Sequence, residues 1–300
     1  MKEINICITF DIDFVNYVEG KKNINEFEVV ILKILPYFEK KPEIKATWFI
    51  RLDNQMKVKY GYADYIFRRY QKEIDYIVKM GHEIAWHPHV FKKIGGKWMQ
   101  NTEEKYLIEE LSMTKSIAQF YRLNSVRLGW GFTTNEIMKF ISDQGFIVDS
   151  SAIPRPNYRW EESEKNWEGT PRYPYFPSKN DYRLPGIPSL PILEIPMSVA
   201  PIRASYDNET VLRVINLAYH RSIFEDSLRQ CIRNENLIVT MTHPYEVLIN
   251  RKRHDLLAFN LKDFESNLLY LKNIKHRKKV KISFHTISSF ANYYKESING

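Results

Sequence analysis

Residues 4 to 13 read Ile4-Asn5-Ile6-Cys7-Ile8-Thr9-Phe10-Asp11-Ile12-Asp13. Apolar and polar residues alternate with a period of two, which predicts a β-strand with one greasy and one polar face. Helical spacing follows in Phe27, Val30, Ile31, Ile34, Leu35 and Phe38, and residues 45–51 return to a strand. This is a βαβ unit.

The alternation continues along the chain. Helices are predicted over 65–80, 102–122, 135–144, 209–233 and 263–274. Strands are predicted over 82–87, 125–129, 146–150, 192–198, 237–242 and 280–284. Repeated strand then helix implies a parallel sheet, and a run of about seven or eight such units implies an α/β barrel. Such a barrel accommodates all 300 residues as one domain, 1–300. Residues 152–191 differ: they carry eight prolines and the rings of Tyr158, Trp160, Trp167, Tyr173, Tyr175, Phe176 and Tyr182. A long ordered loop is expected there.

Composition narrows the class. Apolar residues at 44% and aromatics at 14% fill a sizeable core, and no polar tract reads as disorder. The excess of 44 basic over 36 acidic side chains is spread out rather than gathered. The compact run His276-Arg277-Lys278-Lys279 falls at an expected helix end, where the dipole favours cations. Nucleic-acid binding therefore ranks last. Cys7 and Cys231 form no CxxC pair, so no cysteine zinc site is expected. Neither a signal segment nor a membrane span is legible, which points to a cytoplasmic protein. Nothing in the sequence addresses oligomeric state.

Chemistry-bearing residues collect at predicted strand ends. Asp11 and Asp13 lie two apart, so both carboxylates point the same way from the first strand. A nearby cation removes their mutual repulsion and lets one ligate while the other acts as a base. In His87-Pro88-His89, Pro88 biases the backbone towards extended geometry, so both imidazoles can face one way and supply half a metal site. His82 belongs to the opposite set and reads as structural. Arg127, Asp149 and His243 end later strands, whereas Glu246, His220, His254 and His285 read as surface or packing residues.

In this order, Thr9-Phe10-Asp11-Ile12-Asp13, the segment starting Gly81-His82-Glu83-Ile84, Arg127-Leu128-Gly129-Trp130-Gly131 and Thr242-His243-Pro244 resemble the motifs of the chitin and peptidoglycan deacetylases and other polysaccharide deacetylases. The resemblance spans roughly residues 4 to 290 and implies a distorted (β/α)7, TIM-like barrel. It implies Asp11 as general base, Asp13 and His87 as metal ligands, Arg127 as the group orienting Asp11, and the Trp130 backbone N–H as an oxyanion donor. His243 would protonate the leaving amine, with Asp149 beside it. The family's second ligand histidine follows the first by four residues, where this chain has Phe91; His89 is the nearby candidate. The family's proline two residues after the arginine is Gly129 here.

These roles describe a divalent-metal hydrolase, with zinc expected and cobalt or nickel as alternatives, that removes an N-acetyl or other N-acyl group from a sugar. Arg155, Arg159, Arg172 and Arg183 accompany the rings of the long loop and could bind an anionic carbohydrate, such as a polysaccharide or O-antigen precursor. The loop could equally be a hydrophobic cover. Two other readings stay open: an amidohydrolase acting on cyclic ureides, imides or N-formyl sugars, and a sugar-binding protein whose active site has lapsed.

Overall fold

Ile4, Ile6, Ile8, Phe10 and Ile12 are fully buried along strand β1 (Glu3–Ile12). Phe10 stacks on Trp48 at 4.3 Å between ring centroids and meets Phe38 edge-on at 6.0 Å. The alternate residues Asn5, Cys7, Thr9 and Asp11 are buried as well. The polar face expected from the alternation is thus not a solvent face. Strands of a parallel sheet are covered on both sides, and the polar groups here find partners: Thr9 Oγ1 donates to Thr240 O and Asn5 Oδ1 contacts His285 Nε2 at 3.0 Å.

The computed structural model describes residues 2–13, 15–16, 24–155, 158–160, 163–203, 207–248, 260–278 and 280–299. The further sheet strands are β2 (Ala46–Ile50), β3 (Glu83–Trp86), β4 (Ser125–Val126), β5 (Val148–Asp149), β6 (Leu193–Glu194), β7 (Leu237–Thr242) and β8 (Lys281–His285). Their order is β6-β5-β4-β3-β2-β1-β7, with β8 also on β1. The pairings of β1 with β7 and β8, of β3 with β4, and of β5 with β4 and β6 are parallel. The chain is of the α/β class with a distorted TIM-like fold and extra loops, as the strand–helix alternation predicts.

Contacts divide the chain into two units. The first comprises Met1–Trp48, Met80–His82 and Met197–Thr286. Its opening helical run is capped by Asn25, whose side chain accepts from the N–H groups of Phe27 and Glu28. The run passes through a π segment, Val30–Ile34, before Leu35–Glu39, near whose start Pro36 lacks the N–H that a regular α-ladder would use. Helices Arg221–Asn234 and Leu261–Lys278 complete this unit. The helix predicted from residue 209 instead starts at Arg221, with His220 as its cap. Val211–Val214 is an antiparallel strand paired with Val199–Ile202, as its β-branched residues favour.

The second unit comprises Phe49–Lys79, Glu83–Pro196 and Ile287–Gly300. It holds helices Asn54–Tyr60, Gln71–Lys79, Glu104–Phe120, Asn135–Asp143 and Ile287–Asn299. The first and last of these were not predicted. Ladder-type bonds run on past the ends of its strands: His87 N–H to Ile50 O, Arg127 N–H to Trp86 O and Gly129 N–H to Pro88 O, each 2.9 Å. They continue the hydrogen-bond ladder beyond β3 to Pro88 and beyond β4 to Gly129, where a 3₁₀ turn begins. In the long loop Trp167, Tyr175 and Tyr182 are buried; the Trp167 indole donates to Gly131 O and the Tyr175 hydroxyl to Tyr182 O. These three rings pack inward as a cover.

Candidate metal and catalytic site

His87 and His89 follow β3 and bring their Nε2 atoms to 3.1 Å. Both are buried, at 3% and 7% exposure. Two nitrogens on one tetrahedral zinc lie ~3.3 Å apart when each bond is 2.0–2.1 Å, so the rings already hold about the separation of joint ligands. Three local devices fix them. His87 Nδ1 contacts Arg127 O at 2.7 Å, so the ring turns Nε2 towards His89. The His89 backbone N–H donates to Asp53 Oδ2, and Asp53 is ion-paired with Arg51 and caps helix Asn54–Tyr60. Burial pushes the Asp53 carboxyl up, but Arg51 outweighs it and holds the group below its ordinary value. The His89 ring lies over Gly129 and beside Phe91, at 5.0 Å between centroids.

Arg127 is 1% exposed and donates from Nε to Ser150 O and from Nη2 to Ser150 Oγ; its guanidinium lies 4.1 Å from the Phe49 ring centroid. Asp149 accepts from the Ser151 hydroxyl and stands in register with Glu194 on β6. Burial raises both carboxyls, and Asp149 raises Glu194 further. Glu194, which had no signal in the sequence beyond its position in a strand, is the group with which Asp149 is placed.

In the first unit, His243 ends β7, with Nε2 3.9 Å from Asp13 Oδ2 and Nδ1 3.7 Å from Glu246 Oε1. Burial would lower the His243 pKa, but Glu246, Asp13 and Asp11 together push it up to about 10. Glu246 is buried rather than on the surface. It accepts from Asn216 Nδ2 at 2.6 Å and from the His243 backbone N–H at 2.9 Å. The His243 to Glu246 spacing of three, across the 3₁₀ turn Pro244–Leu248, was the sequence signal for this contact. Glu26 is a further buried acid that the sequence did not single out; burial and the charge of Asp13 raise it well above the carboxylate range.

The remaining assignments are placed as follows. His82 is structural: its Nδ1 accepts from Ala46 N–H among the rings of Phe38 and Trp48. Arg155 is half-buried and Arg172 exposed, whereas the side chain of Arg159 and all of His254 lie outside the described residues. Arg183 is held by Asp181 and Asn166. Trp130 adopts φ 63, and its indole donates to His89 Nδ1 at 3.0 Å.

Asp13, His87 and His89 form the one group of three or more potential ligands among the described residues, and their ligand atoms all lie within 4.8 Å of one another. A carboxylate and two imidazoles suit a divalent metal. No helix among the described residues is long and apolar enough to cross a membrane.

No model of a known protein family matches the chain, and no curated protein matches it by sequence. Solved structures do. A Mycobacterium smegmatis protein provisionally assigned as a polysaccharide deacetylase is similar with a TM-score of 0.52 at 13% identity, over 99% of this chain and 92% of that one. A Bordetella bronchiseptica protein, provisionally assigned as a polysaccharide deacetylase involved in O-antigen biosynthesis, gives a TM-score of 0.38 at 13% identity, over 88% and 78% of the two chains. The 4-alpha-glucanotransferase of Thermococcus litoralis gives 0.49 at 11% identity, over 97% of this chain and 40% of that one. Of these three scores, that of the Mycobacterium protein supports a shared fold.

Proposed function

We propose that the chain is a metal-dependent hydrolase that removes an N-acyl group from a carbohydrate. The observation that carries this reading is the group Asp13, His87 and His89, whose potential ligand atoms all lie within 4.8 Å of one another. A zinc-class ion held there supplies Lewis acidity and a water whose pKa is lowered towards ~7.

The chain's own residues provide the proton transfers. Asp11, on the same side of β1 as Asp13, takes the proton of the attacking water. His243 is kept charged by Glu246 and the neighbouring aspartates, so it has a proton to give to the departing nitrogen. An amine leaves poorly without that proton, which is why the acid matters as much as the base.

A carbohydrate is the substrate class implied by the resemblance of the four sequence motifs to those of the polysaccharide deacetylases. The fold likeness to the Mycobacterium protein agrees with the reading.

The test is to incubate zinc-loaded protein with N-acetylated sugars and, separately, with cyclic imides and ureides. Acetate release that disappears in Asp13→Ala and in His243→Ala is expected. Ring opening without acetate from any N-acetyl sugar would replace the deacetylase reading with a cyclic amidohydrolase, and no turnover of either kind would favour a binding protein.

A further inference from the structure

From His89 the backbone passes almost directly into a two-stranded antiparallel hairpin, Phe91–Ile94 with Lys97–Gln100. Gly95 and Gly96, at φ 55 and φ 84, supply the positive angles that its two-residue turn needs. The Asn101 N–H donates to Val90 O at 3.0 Å and closes the base. The hairpin is thus a short closed arm rooted at a candidate metal ligand, and the chemistry described above makes no use of it.

The face that the arm turns to the site is set by its register. Lys93 stands opposite Trp98 and Phe91 opposite Gln100, so the alternation of side chains puts these four on one face. On that face the Phe91 ring lies 5.0 Å from the His89 ring and 6.0 Å, edge-on, from Trp130, and the Trp98 ring follows 6.5 Å from Phe91. All three aromatic rings are half-buried, and Lys93 is exposed. Aromatic surface left partly in water beside a reaction centre is where the apolar face of a ligand gains by docking. Charge supplies the rest of the ligand's description: residues 87–102 contain Lys92, Lys93 and Lys97 and no aspartate or glutamate. Arg183 of the long loop, by contrast, already has its charge matched by Asp181.

We propose that this hairpin is a substrate-recognition arm: Phe91 and Trp98 stack against the apolar face of a sugar ring, and Lys93 pairs with an anionic group carried by that sugar. This rests on the carbohydrate hydrolase reading above and narrows it to acidic carbohydrates. A carboxylate and a phosphate offer Lys93 the same chemistry.

The experiment measures, by calorimetric titration of the zinc-loaded full chain, the binding of N-acetylglucosamine, its 1-phosphate and N-acetylmuramic acid, with acetate release followed in parallel. The two acidic sugars separate phosphate from carboxylate. At least one of them is expected to bind about fivefold more tightly than N-acetylglucosamine, the reach of a solvent-exposed ion pair, and high salt should erase the advantage. Lys93→Ala removes the preference and leaves N-acetylglucosamine binding unchanged, Lys93→Arg restores it, and Trp98→Ala weakens all three sugars about fivefold. Equal binding of the three sugars to the wild type, binding of none, or a preference that survives Lys93→Ala would overturn the proposal. The expected preference without acetate release from any probe would support the arm and overturn the hydrolase reading instead.

Discussion

A β-carbon on Gly129 would fall 2.2 Å from Cδ2 and 2.6 Å from Nε2 of His89. The histidine ring occupies the volume that any other residue at 129 would need. Gly129 and His89 stand where the sequence departs from the polysaccharide deacetylase motifs it resembles, and the two departures touch: the glycine leaves room for the His89 ring.

Gly129→Ala therefore forces the His89 ring to move. Overpacking of this kind costs about 1–3 kcal/mol, and displacing a ligand should weaken zinc binding by at least about tenfold. In a His89→Ala background the same substitution meets open space, so its cost to stability should vanish while zinc affinity stays low. Urea unfolding and zinc titration of the two single variants and the double variant check this; equal costs in both backgrounds would show that the ring is not what fills the space.

Glu246 faces His243 Nδ1 at 3.7 Å and is the chief group raising that histidine. Glu246→Gln retains the shape but removes the charge. Turnover is expected to fall about 10–100-fold, and the alkaline limb of the pH–rate profile should move to lower pH, because burial then opposes the charged imidazole with less to offset it. An unshifted limb would assign the proton donor elsewhere.

His82 makes a separate prediction about stability. Burial, with a further contribution from Lys45, pushes its pKa down to about 4. The unfolded chain, with an ordinary value near ~6.5, binds a proton at higher pH than the folded chain does. The stabilisation is complete above the unfolded value and is lost as pH falls from about 6.5 to about 4, amounting to about 3 kcal/mol. Denaturant midpoints across that window should fall less steeply for His82→Gln, which loses the ionisation; identical slopes would contradict a buried neutral His82.

The parts of the site that were legible in the sequence are those set by strand period. Asp11 with Asp13, and His87 with His89, declare their shared faces by a spacing of two, and their positions follow from where the strands end. Asp53, Glu26 and Glu194 were not legible, because their importance comes from burial beside Arg51, Asp13 and Asp149, which no local pattern reports. Glu246 was visible three residues after His243, yet a lone acid after a strand carries no mark of being buried. In the fold, the long alternation resolved the sheet. The segment 209–220 was read as helix because its apolar residues fit either period, and the pairing of Val211–Val214 with Val199–Ile202 decided for strand.

The metal centre is tested most directly by the metal content of protein purified without chelator, alongside Asp13→Ala and His87→Ala. About one equivalent of zinc, cobalt or nickel in the wild type and little in either variant is the predicted result. A wild type without stoichiometric metal, or variants that retain it undiminished, would contradict the assignment of these residues as ligands.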